Sequence, residues 1–106
     1  MNGSQLLAEI LKKENIKFLS CFPSTDLIES CAEINIKPII CRQERIGVAI
    51  ADGISRSTGG QQIGVFAMQG GPGAENSFPG AAQSFADNVP VLLIPGGESL
   101  NRSFIS

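Results

Sequence analysis

Glu44 stands between Arg42 and Arg45, where a short apolar run, Pro38 to Cys41, gives way to a helical pattern. A carboxylate at the head of a rigid element can project into a cleft and hold or hand over a proton. Two plainer readings fit the same residue. An acidic side chain in a first helical turn complements the helix macrodipole, and Arg42 or Arg45 can pair with it at the surface. Further along, Gly70-Gly71-Pro72-Gly73 either lets a backbone approach a flat ligand closely or makes a tight strand-to-helix turn. Its spacing is neither that of a phosphate loop ending in Lys-Ser/Thr nor that of the dinucleotide fingerprint. Gln69, just before it, offers an amide to a ligand or only closes a strand end. Taken in isolation, Asn76 reads as the N-cap of a following helix ahead of a ligand contact. Asp87 reads as a turn or capping residue, and Asp52 with Arg56 as an i,i+4 pair.

Other chemistries find little support. Cys21, Cys31 and Cys41 are odd in number, far apart and unaccompanied by any histidine, which argues against a disulfide framework and against zinc. They read as buried, reduced thiols. A net charge of −2, with Lys12-Lys13 as the longest basic run, gives no nucleic-acid footprint. No apolar stretch nears the roughly 20 residues that span a bilayer, and Met1 to Glu9 lacks the layout of a signal peptide. The chain is therefore read as cytoplasmic, with no metal site of its own.

The elements that must position these residues follow from periodicity. A length of 106 residues, 42% of them hydrophobic, suits one compact domain whose small core would gain from a partner surface. Ser4 is expected to cap a first helix carrying Leu6, Leu7, Ile10 and Leu11 on one face and ending near Asn15. Strands are predicted at Lys17 to Phe22, Pro38 to Cys41, Ile63 to Met68 and Val89 to Ile94. Further helices are predicted at Thr25 to Glu33, at Glu44 to Thr58 closed by Gly59-Gly60, and at Asn76 to Phe85 after a loop from Gln69 to Glu75. Helices alternating with continuous apolar strands imply the α/β class, a parallel sheet covered on both faces. After Pro95-Gly96-Gly97, the residues Ser99, Asn101, Arg102 and Ser103 look like an incomplete connection.

In open α/β sheets ligands bind beyond the carboxyl ends of the strands. Phe22 to Thr25, Arg42 to Arg45 and Gln69 to Asn76 should therefore open on one edge and bring Pro23, Glu44 and the glycine-rich segment together.

These residues also match a known pattern. Arg42-Gln43-Glu44, Ala51-Asp52-Gly53, Arg56 and Thr58-Gly59 resemble the helix bearing the cofactor-activating glutamate in thiamine-diphosphate enzymes of the acetolactate synthase and pyruvate oxidase group. Gly71-Pro72-Gly73-Ala74-Glu75-Asn76 resembles the family's Gly-Pro-Gly-x-x-Asn loop, and Gly80-Ala81-Ala82, Ala86-Asp87, Val89-Pro90-Val91 and Ile94 continue the match. It runs from about Ser4 to Gly97, and the order and spacing of the motifs make it specific.

The resemblance implies that residues 1–106 are a single, incomplete pyrimidine-binding domain, which shares thiamine diphosphate with a diphosphate-binding domain or subunit in a homo- or hetero-oligomer. Mg²⁺ would be held by that partner, since the Gly-Asp-Gly and asparagine motif is absent here. By resemblance, Glu44 is the catalytic acid, and Pro72 and Asn76 lie near the aminopyrimidine, with Gly71 in the same loop. Pro23 and Gln69 occupy neighbouring loop positions. Glu44 would share a proton with a ring nitrogen and favour the imino tautomer, which takes the proton from thiazolium C2. Decarboxylation or carboligation of 2-oxoacids follows, with the cofactor as electron sink. Ser24-Thr25-Asp26, Gln43 and Glu75 depart from the family's usual residues, so they bear on substrate choice. The missing motif leaves two alternatives: a non-catalytic interaction or regulatory domain, or a gene fragment, that keeps the fold. A generic small-ligand α/β domain is a third.

Overall fold

The computed structural model describes residues 1–23 and 25–97, so Ser24 and the expected connection at Ser99 to Ser103 lie outside the described residues. Helix α1 spans Gly3–Lys13, strand β1 Phe18–Cys21, α2 Leu27–Glu33, β2 Lys37–Ile40, α3 Glu44–Ser57, β3 Gly64–Met68, α4 Pro72–Ala86 and β4 Val91–Pro95. The strands form one parallel sheet in the order β2-β1-β3-β4. The chain passes from β1 through α2 to β2 on one side, then through α3 to β3 on the other. The order therefore reverses at β1, where α/β sheets open a crevice.

Alternation along the strands supplies both faces. Leu19, Cys21, Val65 and Ala67 pack under α1 and α2 with Ala8, Leu11, Leu27 and Cys31, whereas Phe66 and Met68 face Val48 and Ala51 of α3. All three cysteines are free and buried, as expected of unpaired thiols with no histidine beside them. Burial pushes the Cys21 and Cys31 thiols up to about 11, which keeps them protonated.

The second layer is tight because α3 carries no side chain at its closest approach to the sheet. A Cβ on Gly47 would overlap the Phe66 ring, and one on Gly80 of α4 would sit 2.7 Å from Val48 Cβ. Ser20, whose side chain points to the α3 face, donates a 2.8 Å hydrogen bond to the Gly47 carbonyl and anchors the first turn of α3 to the central strand.

Several local expectations are corrected. The N-cap of α1 is Asn2, not Ser4: its side chain accepts from the Gln5 amide while the Gln5 side chain accepts from the Asn2 N–H, a reciprocal capping box. Leu6 and Ile10 are 53% and 48% exposed, so the buried stripe runs through Ala8 and Leu11. Helix α2 begins at Leu27 where Thr25 was expected. Helix α4 begins at Pro72, four residues before the expected start, because proline is suited to the first helical position and Gly71 takes the cap at φ +64°, ψ −114°. Asn76 is thus inside the helix and does not cap it.

Candidate functional site

The first turn of α3 puts Glu44 directly after the end of β2, and the early start of α4 swings Asn76 toward it. Asn76 Nδ2 donates to Glu44 Oε1 across 3.4 Å, a long bond. Glu44 is only 8% exposed, and among the described residues neither Arg42 nor Arg45 pairs with it, so the surface ion pair that the sequence also allowed does not form. A carboxylate sheltered to this extent with one long hydrogen bond keeps acceptor capacity for something else.

That capacity faces a cleft of about 400 Å³ lined by Gln43, Glu44, Arg45, Glu75, Asn76 and Pro79. On its inner side, the place of a Cβ on Gly73 lies 3.5 Å from Glu44 Oε2 and 3.3 Å from Gln69 Cβ. Gly73 is buried, so its missing side chain lets the first turn of α4 pack closely against Glu44 and Gln69. Beneath, the Cys41 thiol is pushed up by burial and then by the Glu44 carboxylate.

The other candidates are distributed around this centre. Gln69 and Gly71 line an adjacent cleft of about 320 Å³ with Gly70, Gly96 and Gly97. Pro72 sets the start of α4. Pro23 lines a third, shallow hollow with Thr25, Asp26 and Ile40, apart from the Glu44 cleft. The convergence expected at the sheet edge therefore joins Glu44 with Asn76, and Gln69 through Gly73, but leaves Pro23 to one side. Pro79 was missed by the sequence reading, although a proline within a helical pattern is itself a signal. Asp52 and Arg56 pair at 2.7 Å as expected, and Asp87, at the C-cap of α4, binds Arg56 at 3.0 Å.

The family model for the thiamine pyrophosphate enzyme, N-terminal TPP binding domain, matches residues 1–103. The chain belongs to this family. The domain is 29% identical over 100 residues to an acetolactate synthase large subunit of Haemophilus influenzae, covering 91% of this chain and 17% of that protein. It is 30% identical over 99 residues to an acetolactate synthase large subunit of Lactococcus lactis, covering 90% of this chain and 17% of that one. The chain thus spans about a sixth of the length of these relatives. Its backbone also superposes on benzoylformate decarboxylase from Polynucleobacter necessarius with a TM-score of 0.80 at 18% identity, covering 96% of this chain and 19% of that chain, a likeness of fold. The parallel sheet with helices on both faces is the N-terminal domain architecture of thiamine-diphosphate enzymes.

Proposed function

We propose that the domain is the pyrimidine-binding component of a thiamine-diphosphate-dependent 2-oxoacid decarboxylase or carboligase, similar to acetolactate synthase, and that Glu44 is its activating acid. The observation that carries this reading is the sheltered Glu44 carboxylate, at the head of α3, with a single long hydrogen bond and an open cleft before it.

The residues present suit an aminopyrimidine. Glu44 offers an oxygen to a ring nitrogen, and Asn76 holds the other side of that carboxylate. Thiamine diphosphate, when bound, supplies the electron sink for chemistry at a 2-oxoacid carbonyl carbon. Glu44 would hold a proton at the ring nitrogen. Asn76, by donating to Oε1, would fix which carboxylate oxygen is turned to the ring. Gln69, Gly71 and Pro72 would border the ring from the neighbouring loop, with Pro23 at the margin. A diphosphate-binding domain, on the same or another chain, would hold Mg²⁺ and complete the cleft in an oligomer.

The test is turnover of a 2-oxoacid in the presence of thiamine diphosphate, Mg²⁺ and the diphosphate-binding domain. Glu44→Gln should lower kcat by about 10²–10⁴-fold. Full activity in that variant would remove the mechanism.

A further inference from the structure

We propose that a second copy of this chain docks on the flank of α4 that faces away from Glu44, through a two-fold contact. Phe85 of each copy fills a hollow beside Phe78 of the other, and the two β4 edges pair. The contact goes beyond the pyrimidine-binding reading and does not rest on it.

Phe78 and Phe85 are 69% and 85% exposed. They stand two helical turns apart in α4 and so share one face. Asn76, which reaches Glu44, projects from the opposite flank, and the docking leaves that cleft open. Beside Phe78 lies an apolar hollow of about 170 Å³, walled by Met68, Ala74, Phe78, Ala81, Leu93 and Pro95. An apolar cavity of about 150 Å³ admits benzene. A knob and a hole therefore occupy the same helix face. A two-fold axis passing between them seats each knob in the other copy's hole and closes the contact at two chains.

The strand beside this helix agrees. Among the described residues β4 is an edge strand paired only with β3. The Gly96 N–H donates to the Met68 carbonyl of β3, and alternate residues of a strand turn their backbone groups to opposite sides. Val91, Leu93 and Pro95 therefore turn theirs outward. Proline has no N–H to leave unpaired there, which is where a sheet tolerates it. Counting about 1.5 Å per helical residue and about 3.3 Å per strand residue from the α4–β4 turn puts the midpoint of Phe78 and Phe85 level with Leu93. The axis that seats the phenylalanines thus sets Leu93 opposite Leu93 of the second copy. In that antiparallel register the two Leu93 residues exchange both hydrogen bonds, and each Val91 N–H meets a Pro95 carbonyl. Every outward N–H of β4 finds an acceptor.

Charge does not oppose the contact. No charged side chain occurs from Asn76 to Ala86 in α4 or from Val91 to Pro95 in β4, whereas edge strands that avoid pairing commonly carry one. Area sets the strength. At roughly 200 Å² for one ring, the two phenylalanines present about 300 Å² per copy. Doubled, and joined by the rims of the hollows and the strand edges, this approaches the roughly 1,200 Å² at which specific interfaces begin. A reversible dimer of micromolar strength is expected.

The experiment is sedimentation equilibrium of the full chain across the micromolar range, with amide hydrogen exchange on the same samples, for the wild type and Phe85→Glu. The wild type should pass from monomer to dimer as concentration rises, and the Val91 and Leu93 amides should become protected in step. Phe85→Glu, which replaces an exposed ring, should keep the wild-type circular dichroism and weaken the dimer by about 30-fold or more, the loss of one hot-spot residue. If that variant does not fold, the concentration dependence of exchange in the wild type decides alone. A wild type that stays monomeric, a dimer that Phe85→Glu leaves intact, a dimer whose Val91 and Leu93 amides exchange as in the monomer, or an open series of larger assemblies overturns the inference.

Discussion

Ser84 Oγ donates a 2.6 Å hydrogen bond to Asp52 Oδ2 across the interface between α4 and α3. Arg56 Nε donates to the other oxygen of that carboxylate at 2.7 Å, while Arg56 Nη2 donates to Asp87 at 3.0 Å. One carboxylate and one guanidinium thus tie the two helices that flank the cleft together at the end remote from Glu44. The helix pair that carries Glu44 and Asn76 is held in register from behind.

This clasp should make stability depend on pH. Arg56 holds the Asp52 carboxyl below its ordinary value of 3.8, with Ser84 adding to the effect and burial opposing it. A carboxyl whose folded value is depressed contributes stability that is present above the unfolded value and lost as pH falls through the folded one. Asp52→Asn should therefore be less stable than the wild type by about 1–3 kcal/mol at neutral pH, and the two should converge below 3.8. Urea denaturation across that range measures it. A constant gap down to the most acid pH would show that the charge on Asp52 contributes nothing.

The close approach of α3 and α4 yields a second expectation. A methyl on Gly80 would stand 2.7 Å from Val48 Cβ and 2.9 Å from Val48 Cγ1, contacts that force the helices apart. Gly80→Ala should cost about 1–3 kcal/mol by overpacking. Because the nearest obstruction is the Val48 side chain, with the Arg45 carbonyl oxygen next at 3.4 Å, Val48→Ala in the Gly80→Ala background should recover part of that loss, whereas Val48→Ala alone should destabilise by leaving a cavity. Thermal unfolding of the four proteins gives the coupling. Simple additivity would mean that the helices do not meet through these two residues.

Much of this arrangement was legible from pattern, and the exceptions have identifiable causes. All eight elements were expected in the observed order, since the strands read as continuous apolar runs and the helices carry apolar periodicity. The start of α4 was misplaced because Gly70-Gly71-Pro72-Gly73 has the composition of a loop, while Pro72 and Gly73 are in fact its first helical residues. That one shift moved Asn76 from a cap to the cleft wall. The i,i+4 spacing of Asp52 and Arg56 showed their pairing, but the links to Ser84 and Asp87 join residues far apart in sequence, and neither a hydroxyl nor a helix-end carboxylate announces a distant partner. Glu44 was marked by its place between a strand end and a helix start, and the resemblance gave it a role. Its spacing alone fitted a surface residue as well, and burial decided against that reading.

The cap of α4 offers a prediction in which backbone strain is separable from packing. Gly71 adopts φ +64° and ψ −114°, and a Cβ there would meet nothing within 4 Å. Any penalty on Gly71→Ala is therefore conformational, and of order 1–3 kcal/mol for a side-chain-bearing residue in a sparsely populated region. Asparagine eases the cost of a positive φ where ψ is also positive, as in the left-handed helical region, but at ψ −114° that relief does not apply. Gly71→Asn should be about as destabilising as Gly71→Ala. Since this residue fixes where α4 begins, either variant should also loosen the placement of Asn76 against Glu44. Cofactor-dependent turnover should fall in both variants at temperatures where each remains folded. Denaturant unfolding and turnover measured on the same samples separate the outcomes. An asparagine variant as stable as the wild type would show that Gly71 does not hold this backbone in solution.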